Sequence, residues 1–312
     1  HPVLAGGLTL AERDQVPRRR EPRTHTGLGL DHEMLGGEPA PAGQQNTYTG
    51  PGHALVLSGS YAYLNGIFQN KWFNRATNRS ESMLHDPKAK LLGEGEGAVD
   101  AGDDSSPRNF FGSTVGDELR LHTGGKSKVV SMALKDRGAI LLGGRMGTAL
   151  FFSEKTGGWT TSSYYLSQLP AWLTAFNALK LPDSYYGKEW TRTLPESAYG
   201  PEADDNAWEG DILGLGRTFP HKITGKEKSA TGAYYEAFMT SPFGIDHTVA
   251  LAKATVEGEA LGADEHTDVL AISISPTDLI GHTFGNYSHE ARDAYLRTDR
   301  ALGEFFTYLD KK

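Results

Sequence analysis

The chain has 312 residues, 31 Lys+Arg against 39 Asp+Glu, a net charge of -8 and no cysteine. That length allows one large or two modest domains with a sizeable core. The missing cysteine excludes disulfides, thiolate metal sites and cysteine nucleophiles. The acidic balance argues against a nucleic-acid scaffold, which needs a basic face. No apolar run approaches the roughly 18 residues that a membrane span requires.

Residues 1–43 read differently from the rest, with seven Gly, five Pro, five Arg and the run Arg18-Arg19-Arg20. None of the 13 Phe, 5 Trp and 13 Tyr precedes Tyr48. Such a composition cannot bury enough apolar surface to offset its ordering entropy, so a disordered or loosely attached arm is expected. No apolar stretch follows the arginines, so the segment does not read as a signal peptide.

From Tyr48 onward the pattern is α/β. A helix is expected over 51–61, where Pro51 suits a first helical position, and another over 113–121 behind a capping Ser113. Residues 129–134 (VVSMAL), 139–142 and 268–275 (DVLAISIS) read as buried strands. Further helices are expected over 169–180, 246–261 and 289–310. The last carries Tyr295, Leu302, Phe305, Phe306 and Leu309 on one stripe. This alternation predicts an α/β fold, a mostly parallel sheet flanked by helices. Residues 154–243, rich in Tyr, Trp, Gly, Pro and Asp, read as a cap or lid inserted into a core formed by 44–153 and 244–312.

Three short segments carry candidate chemistry. In Thr47-Tyr48-Thr49-Gly50-Pro51-Gly52-His53 a hydroxyl precedes a helix, where free N–H groups favour an anion. Thr49 is then either a nucleophile toward a phosphate or sulfate, or an ordinary N-cap. Asp278 and His282 follow the strand DVLAISIS at a spacing of four, which suits a divalent metal and also occurs by chance. Lys135-Asp136-Arg137 follows the strand VVSMAL and reads as a phosphoryl clamp or as a solvated turn with a surface ion pair.

Taken together, TYTGPGHALVLSGSYAYLNGIFQNKW, ALKDRGAILLGG and AISISPTDLIGHTFGNYSHEARDAYLRTDRALGEFF resemble the threonine-nucleophile branch of the alkaline phosphatase superfamily. That branch holds the phosphate-irrepressible alkaline phosphatases and the type I phosphodiesterases/nucleotide pyrophosphatases. The resemblance runs from about Gln44 to the last residue and implies an alkaline phosphatase-like core. It implies Thr49 as the nucleophile of T-x-T-x-x-G-H. Asn70 would contact a phosphoryl oxygen, from a block that here reads Gln69-Asn70-Lys71-Trp72. Lys135 and Arg137 would bind phosphate, and Asp278 with His282 would ligate one of two zinc ions. The implied reaction is metal-dependent hydrolysis of phosphoric mono- and diesters, extending to triesters, through a phospho-threonine that a metal-activated water cleaves. Members are mostly periplasmic.

The sequence departs from the family where an N-terminal strand with a ligating Asp is expected, and again at a later Asp-His block and a last His. Of six protein ligands, only Asp278 and His282 are present, so the sequence reads as a core shortened at both ends. The open outcomes are an inactive remnant that binds phosphate or a partner, one loosely held metal, a site rebuilt by oligomerisation, or ligands recruited from Asp31, His32 or His1. A homo-oligomer is expected, because exposed edges and apolar faces associate.

Overall fold

The computed structural model describes residues 48–93 and 105–312. The arm read over residues 1–43, and with it His1, Asp31 and His32, lies outside the described residues. The chain opens with helix α1 (Thr49–Ser58), the short α2 (Ala62–Asn65) and a hairpin of β1 (Lys71–Asn74) and β2 (Arg79–Ser82). Then follow α3 (Val115–His122), β3 (Val129–Ala133), α4 (Asp136–Gly143), β4 (Thr148–Ser153) and β5 (Gly158–Thr160). The next stretch holds α5 (Ala171–Ala178), a ribbon of β6 (Glu189–Trp190) and β7 (His221–Lys222), and α6 (Gly232–Met239). The last elements are α7 (Pro242–Gly258), β8 (Val269–Ser273), α8 (Ser275–Phe284) and α9 (His289–Leu309).

The central sheet has the order β5-β4-β3-β8. Strands β4, β3 and β8 run parallel, and β5 closes one edge antiparallel to β4. Successive side chains on a strand point to opposite faces, and here the two faces differ in bulk. Val130, Met132, Leu150, Phe152, Leu270 and Ile272 face one side and join a large core with residues of α5 to α9. Ala133, Ala149 and Phe151 face the other side, where Ile140 and Leu141 of α4 and Ala54 of α1 cover them. Ser131 shares that side and donates its hydroxyl to the Ala139 carbonyl at 2.7 Å. The small residues let α4 lie close against the sheet, and α1 then packs on α4.

Residues 139–142 are therefore helical, not a strand. A four-residue apolar run spans a single helical turn, so its periodicity cannot separate the two states. All four are buried because α4 is covered on one side by the sheet and on the other by α1. The strand beside β3 is instead β4, TALFFS. The stripe read along the last helix also shifts by one face. Ala291, Ala294, Thr298, Ala301 and Phe305 are buried in α9, whereas Tyr295 and Phe306 are exposed. The small residues allow α9 to approach α7 and α8, and the larger aromatics lie outside the contact.

Segment 154–243 enters through β5 and leaves through α6, whose Tyr234, Tyr235 and Phe238 join the same core as Phe152. At its centre His247 of α7 is 3 % exposed. Its ring lies among Phe152, Phe176 and Phe238. Its Nε2 accepts from Trp159 Nε1 at 2.7 Å. Burial pushes its pKa from 6.5 down to about 3. Between those values the unfolded chain binds a proton that the folded chain does not. Stability is therefore expected to fall by up to about 1.4 kcal/mol per pH unit through this group as pH drops from the higher value toward the lower. Urea midpoints at about pH 7 and about pH 5 should lie closer together in His247→Phe than in the wild type.

Candidate active site

The parallel strands β3 and β8 end side by side, and two helices start within three residues of those ends. Lys135 is the N-cap residue of α4, with Asp136 and Arg137 in its first turn. Ser275 and Pro276 open α8, and Asp278 lies in its first turn. The carboxyl edge of a parallel sheet, where helix N-termini point outward, is a natural anion site.

Helix α1 brings Thr49 to the same edge. Its N-cap is Tyr48, in an extended conformation and without a side-chain cap bond, so Thr49 is the first helical residue and not the cap. The capping alternative is overturned. The Gly50 N–H donates to Asn70 Oδ1 at 2.8 Å, which leaves the Asn70 amide NH2 as a donor. The backbone at Gly50 passes so close to Met83 that a Cβ would lie 2.3 Å from its sulfur.

His53, one turn further along α1, ties this helix to the sheet. Its Nδ1 lies 2.8 Å from the Thr49 carbonyl oxygen, and its Nε2 lies 2.9 Å from the Ser273 hydroxyl at the end of β8. Burial lowers its pKa below the ordinary histidine range. The bond to Thr49 and the charge of Asp278 act upward, whereas Lys135 and Arg137 act downward. Through Ser273 the first turns of α1 are tied to the end of β8, beside the starts of α4 and α8. Gly138 of α4 closes over the pair. A Cβ there would come within 3.4 Å of both His53 Nε2 and Ser273 Oγ, and within 2.9 Å of the Ala133 methyl.

Lys135 Nζ forms an ion pair with Asp278 Oδ2. The other oxygen, Asp278 Oδ1, lies 3.5 Å from His282 Nε2 one helical turn away. Arg137 Nη1 lies 3.6 Å from Asp136 Oδ1, and Arg137 Nε is buried without a hydrogen-bond partner among the described residues. Asp136 Oδ2 also accepts from the Ser105 hydroxyl at 3.3 Å. The six residues expected from sequence thus group around one sheet edge. His53, Ser273 and Gly138 were not singled out by sequence reasoning. His53 stood in the quoted G-H motif, and its spacing of four from Thr49 was the one available signal.

Asp278 and His282 share a helix face, as a D-x-x-x-H pair should. They supply two donors, and among the described residues no group of three or more His, Cys, Asp or Glu is placed to hold a metal. A catalytic zinc takes three protein ligands. The described donor set does not fit zinc by itself, and one of its two members is already neutralised by Lys135.

Residues 44–312 match the family model of type I phosphodiesterase / nucleotide pyrophosphatase. The chain belongs to that family. It is 38% identical over 270 residues to alkaline phosphatase PhoV of Synechococcus elongatus, covering 85% of this chain and 47% of that one. Against alkaline phosphatase PafA of Elizabethkingia meningoseptica the identity is 37%, over 85% and 48%. The crystal structure of wild-type PafA matches with a TM-score of 0.76 at 36% identity, over 85% of this chain and 50% of that one. A PafA variant substituted at one threonine, one asparagine, one lysine and one arginine matches with a TM-score of 0.78 at 35% identity. The chain spans about half the length of these relatives. Its mostly parallel sheet between helices is the fold of this phosphodiesterase family's alkaline phosphatase members.

Gly138→Ala is expected to lower stability by about 1–3 kcal/mol, because the Ala133 methyl sits on a rigid strand and cannot retreat. A urea denaturation curve measures it, and an unchanged midpoint would show that α4 does not press on the sheet here.

Proposed function

We propose that this chain hydrolyses phosphoric esters with Thr49 as nucleophile. The observation that supports this most is the grouping of Thr49, Asn70, Lys135 and Arg137 at the N-termini of α1 and α4. The PafA variant is substituted at the same four residue types, and its Thr-to-Asn and Lys-to-Arg separations along the chain equal those here.

In this reading the phosphoryl oxygens take hydrogen bonds from the Asn70 amide, the Lys135 ammonium and the Arg137 guanidinium. Arg137 has an unspent Nε for the purpose, and a guanidinium can grip two oxygens at once. The Thr49 oxygen attacks phosphorus, its proton leaves, and the bond to the ester oxygen breaks as that oxygen acquires a proton. Water then attacks the phospho-threonine, releasing inorganic phosphate and restoring the hydroxyl. The helix N-terminus and the cations stabilise the charge spread over the equatorial oxygens. Two cations suit a monoester dianion best, with diesters and triesters accepted more weakly as their charge falls.

A zinc ion would supply Lewis-acid activation of an oxygen nucleophile, with Asp278 and His282 among its ligands. Among the described residues these two are the donors placed for it. That shortfall favours a second reading, a phosphate-binding module without turnover. The aromatics Tyr295 and Phe306, exposed along α9, support the proposal of a homo-oligomer, which light scattering tests.

On p-nitrophenyl phosphate and its diester, Thr49→Ala is expected to lower kcat by at least about 100-fold and Arg137→Ala by about 10–100-fold. Wild-type turnover in Thr49→Ala would remove the assignment. Inorganic phosphate binding with no turnover under any metal supply would select the second reading.

A further inference from the structure

The Thr49 carbonyl and the Gly50 N–H belong to one peptide group, and both of its polar atoms are tied. The N–H is held by Asn70 Oδ1 at 2.8 Å. The carbonyl is held by His53 Nδ1 at 2.8 Å, and the far side of that ring is held by Ser273 Oγ at 2.9 Å. A carbonyl can only accept, so His53 Nδ1 carries the hydrogen, and in the neutral ring Nε2 accepts from the Ser273 hydroxyl. The two tethers reach opposite ways, one to the loop before β1 and one across 220 residues to the end of β8. Between them they set the height and tilt of the peptide plane from which the Thr49 side chain springs.

We propose that His53 and Ser273 are positioning residues. They form a relay that fixes the Thr49 peptide against the sheet and so aims the threonine oxygen at the bound phosphoryl group. Neither residue touches substrate in this arrangement. Ser273 holds the imidazole in its Nδ1–H form, and the imidazole holds the Thr49 carbonyl. Helix α4 passes close to the ring at Gly138, where a Cβ would come within 3.4 Å of Nε2. The inference rests on the reading of Thr49 as the nucleophile and adds what orients it. A displaced nucleophile reduces reaction far more than binding, because the phosphate-holding groups Asn70, Lys135 and Arg137 keep their places.

The test compares the affinities of inorganic phosphate and orthovanadate, which needs no turnover. Vanadate takes the threonine oxygen as a fifth ligand and therefore reports its position, whereas phosphate reports the surrounding donors. In His53→Phe and in Ser273→Ala the vanadate-over-phosphate preference should drop by about tenfold or more, with phosphate affinity within about twofold of wild type. His53→Asn, whose amide can still reach the Thr49 carbonyl, should recover part of the preference, and His53→Gln should not. Thermal unfolding is recorded for each variant. Should His53→Phe fail to fold, Ser273→Ala, which leaves the ring in place, decides the matter. A preference unchanged in these variants but lost in Thr49→Ala would overturn the relay while leaving the nucleophile standing. A preference absent from the wild type, or unchanged in Thr49→Ala, would overturn the nucleophile reading and the relay with it.

Discussion

The close contact of helix α4 with the sheet is the constraint on which the rest of the structure depends. Ser131, Ala133 and Ala149 keep that face of the strands shallow, and Gly138 and Gly143 remove the side chains that would hold the helix off. A Cβ on Gly143 would lie 2.5 Å from Ser131 Oγ. Because α4 lies low, α1 can pack on it and still bring its first turn level with the ends of β3 and β8. A thicker layer would lift Thr49 away from Lys135 and Arg137. On the opposite face, bulky aliphatic and aromatic residues form the larger core, where each buried side chain contributes roughly 1.5–3 kcal/mol. One face thus carries most of the stability and the other sets the geometry.

Electrostatics follow from that geometry. Helices α1, α4 and α8 all begin near the same edge, and each N-terminus carries about half a positive charge. Lys135 and Arg137 add two formal charges, against the carboxylates of Asp136 and Asp278. The ion pair of Lys135 with Asp278 offsets part of the field, while Arg137 keeps an unpartnered Nε. Among the described residues two cations thus stand against two carboxylates at this edge, and Asp278 with His282 are the two metal donors expected from the sequence.

Much of the architecture was legible along the chain. Strands β3 and β8 are short aliphatic runs between polar turns, and helix α7 buries Val249, Ala252 and Val256 on one stripe as its periodicity predicts. Residues 139–142 suit a strand and a helix equally, because four apolar residues fill a single helical turn. On α9 hydrophobicity favours the aromatic stripe, but burial there is decided by close approach of small residues. Ala, Gly and Ser carry almost no hydrophobic signal, so a face built from Ala291, Ala294 and Ala301 is eclipsed by Tyr295 and Phe306 beside it. Strand β4 escaped because its apolar run TALFFS follows a glycine-rich turn with no strand pattern of its own.

The residue types of the site and their places at element ends are legible along the chain, since Thr49 precedes an expected helix while Lys135, Arg137 and Asp278 follow the expected strands 129–134 and 268–275. Only the tertiary structure decided which of them meet. His53 finds Ser273 across 220 residues, Lys135 finds Asp278 across 143, and Asn70 finds the Gly50 N–H across 20. Such pairings are set by strand order and by the thickness of the α4 layer, neither of which leaves a local trace. The tautomer of His53, and with it the tether on the Thr49 carbonyl, follows from partners that no spacing along the chain could supply.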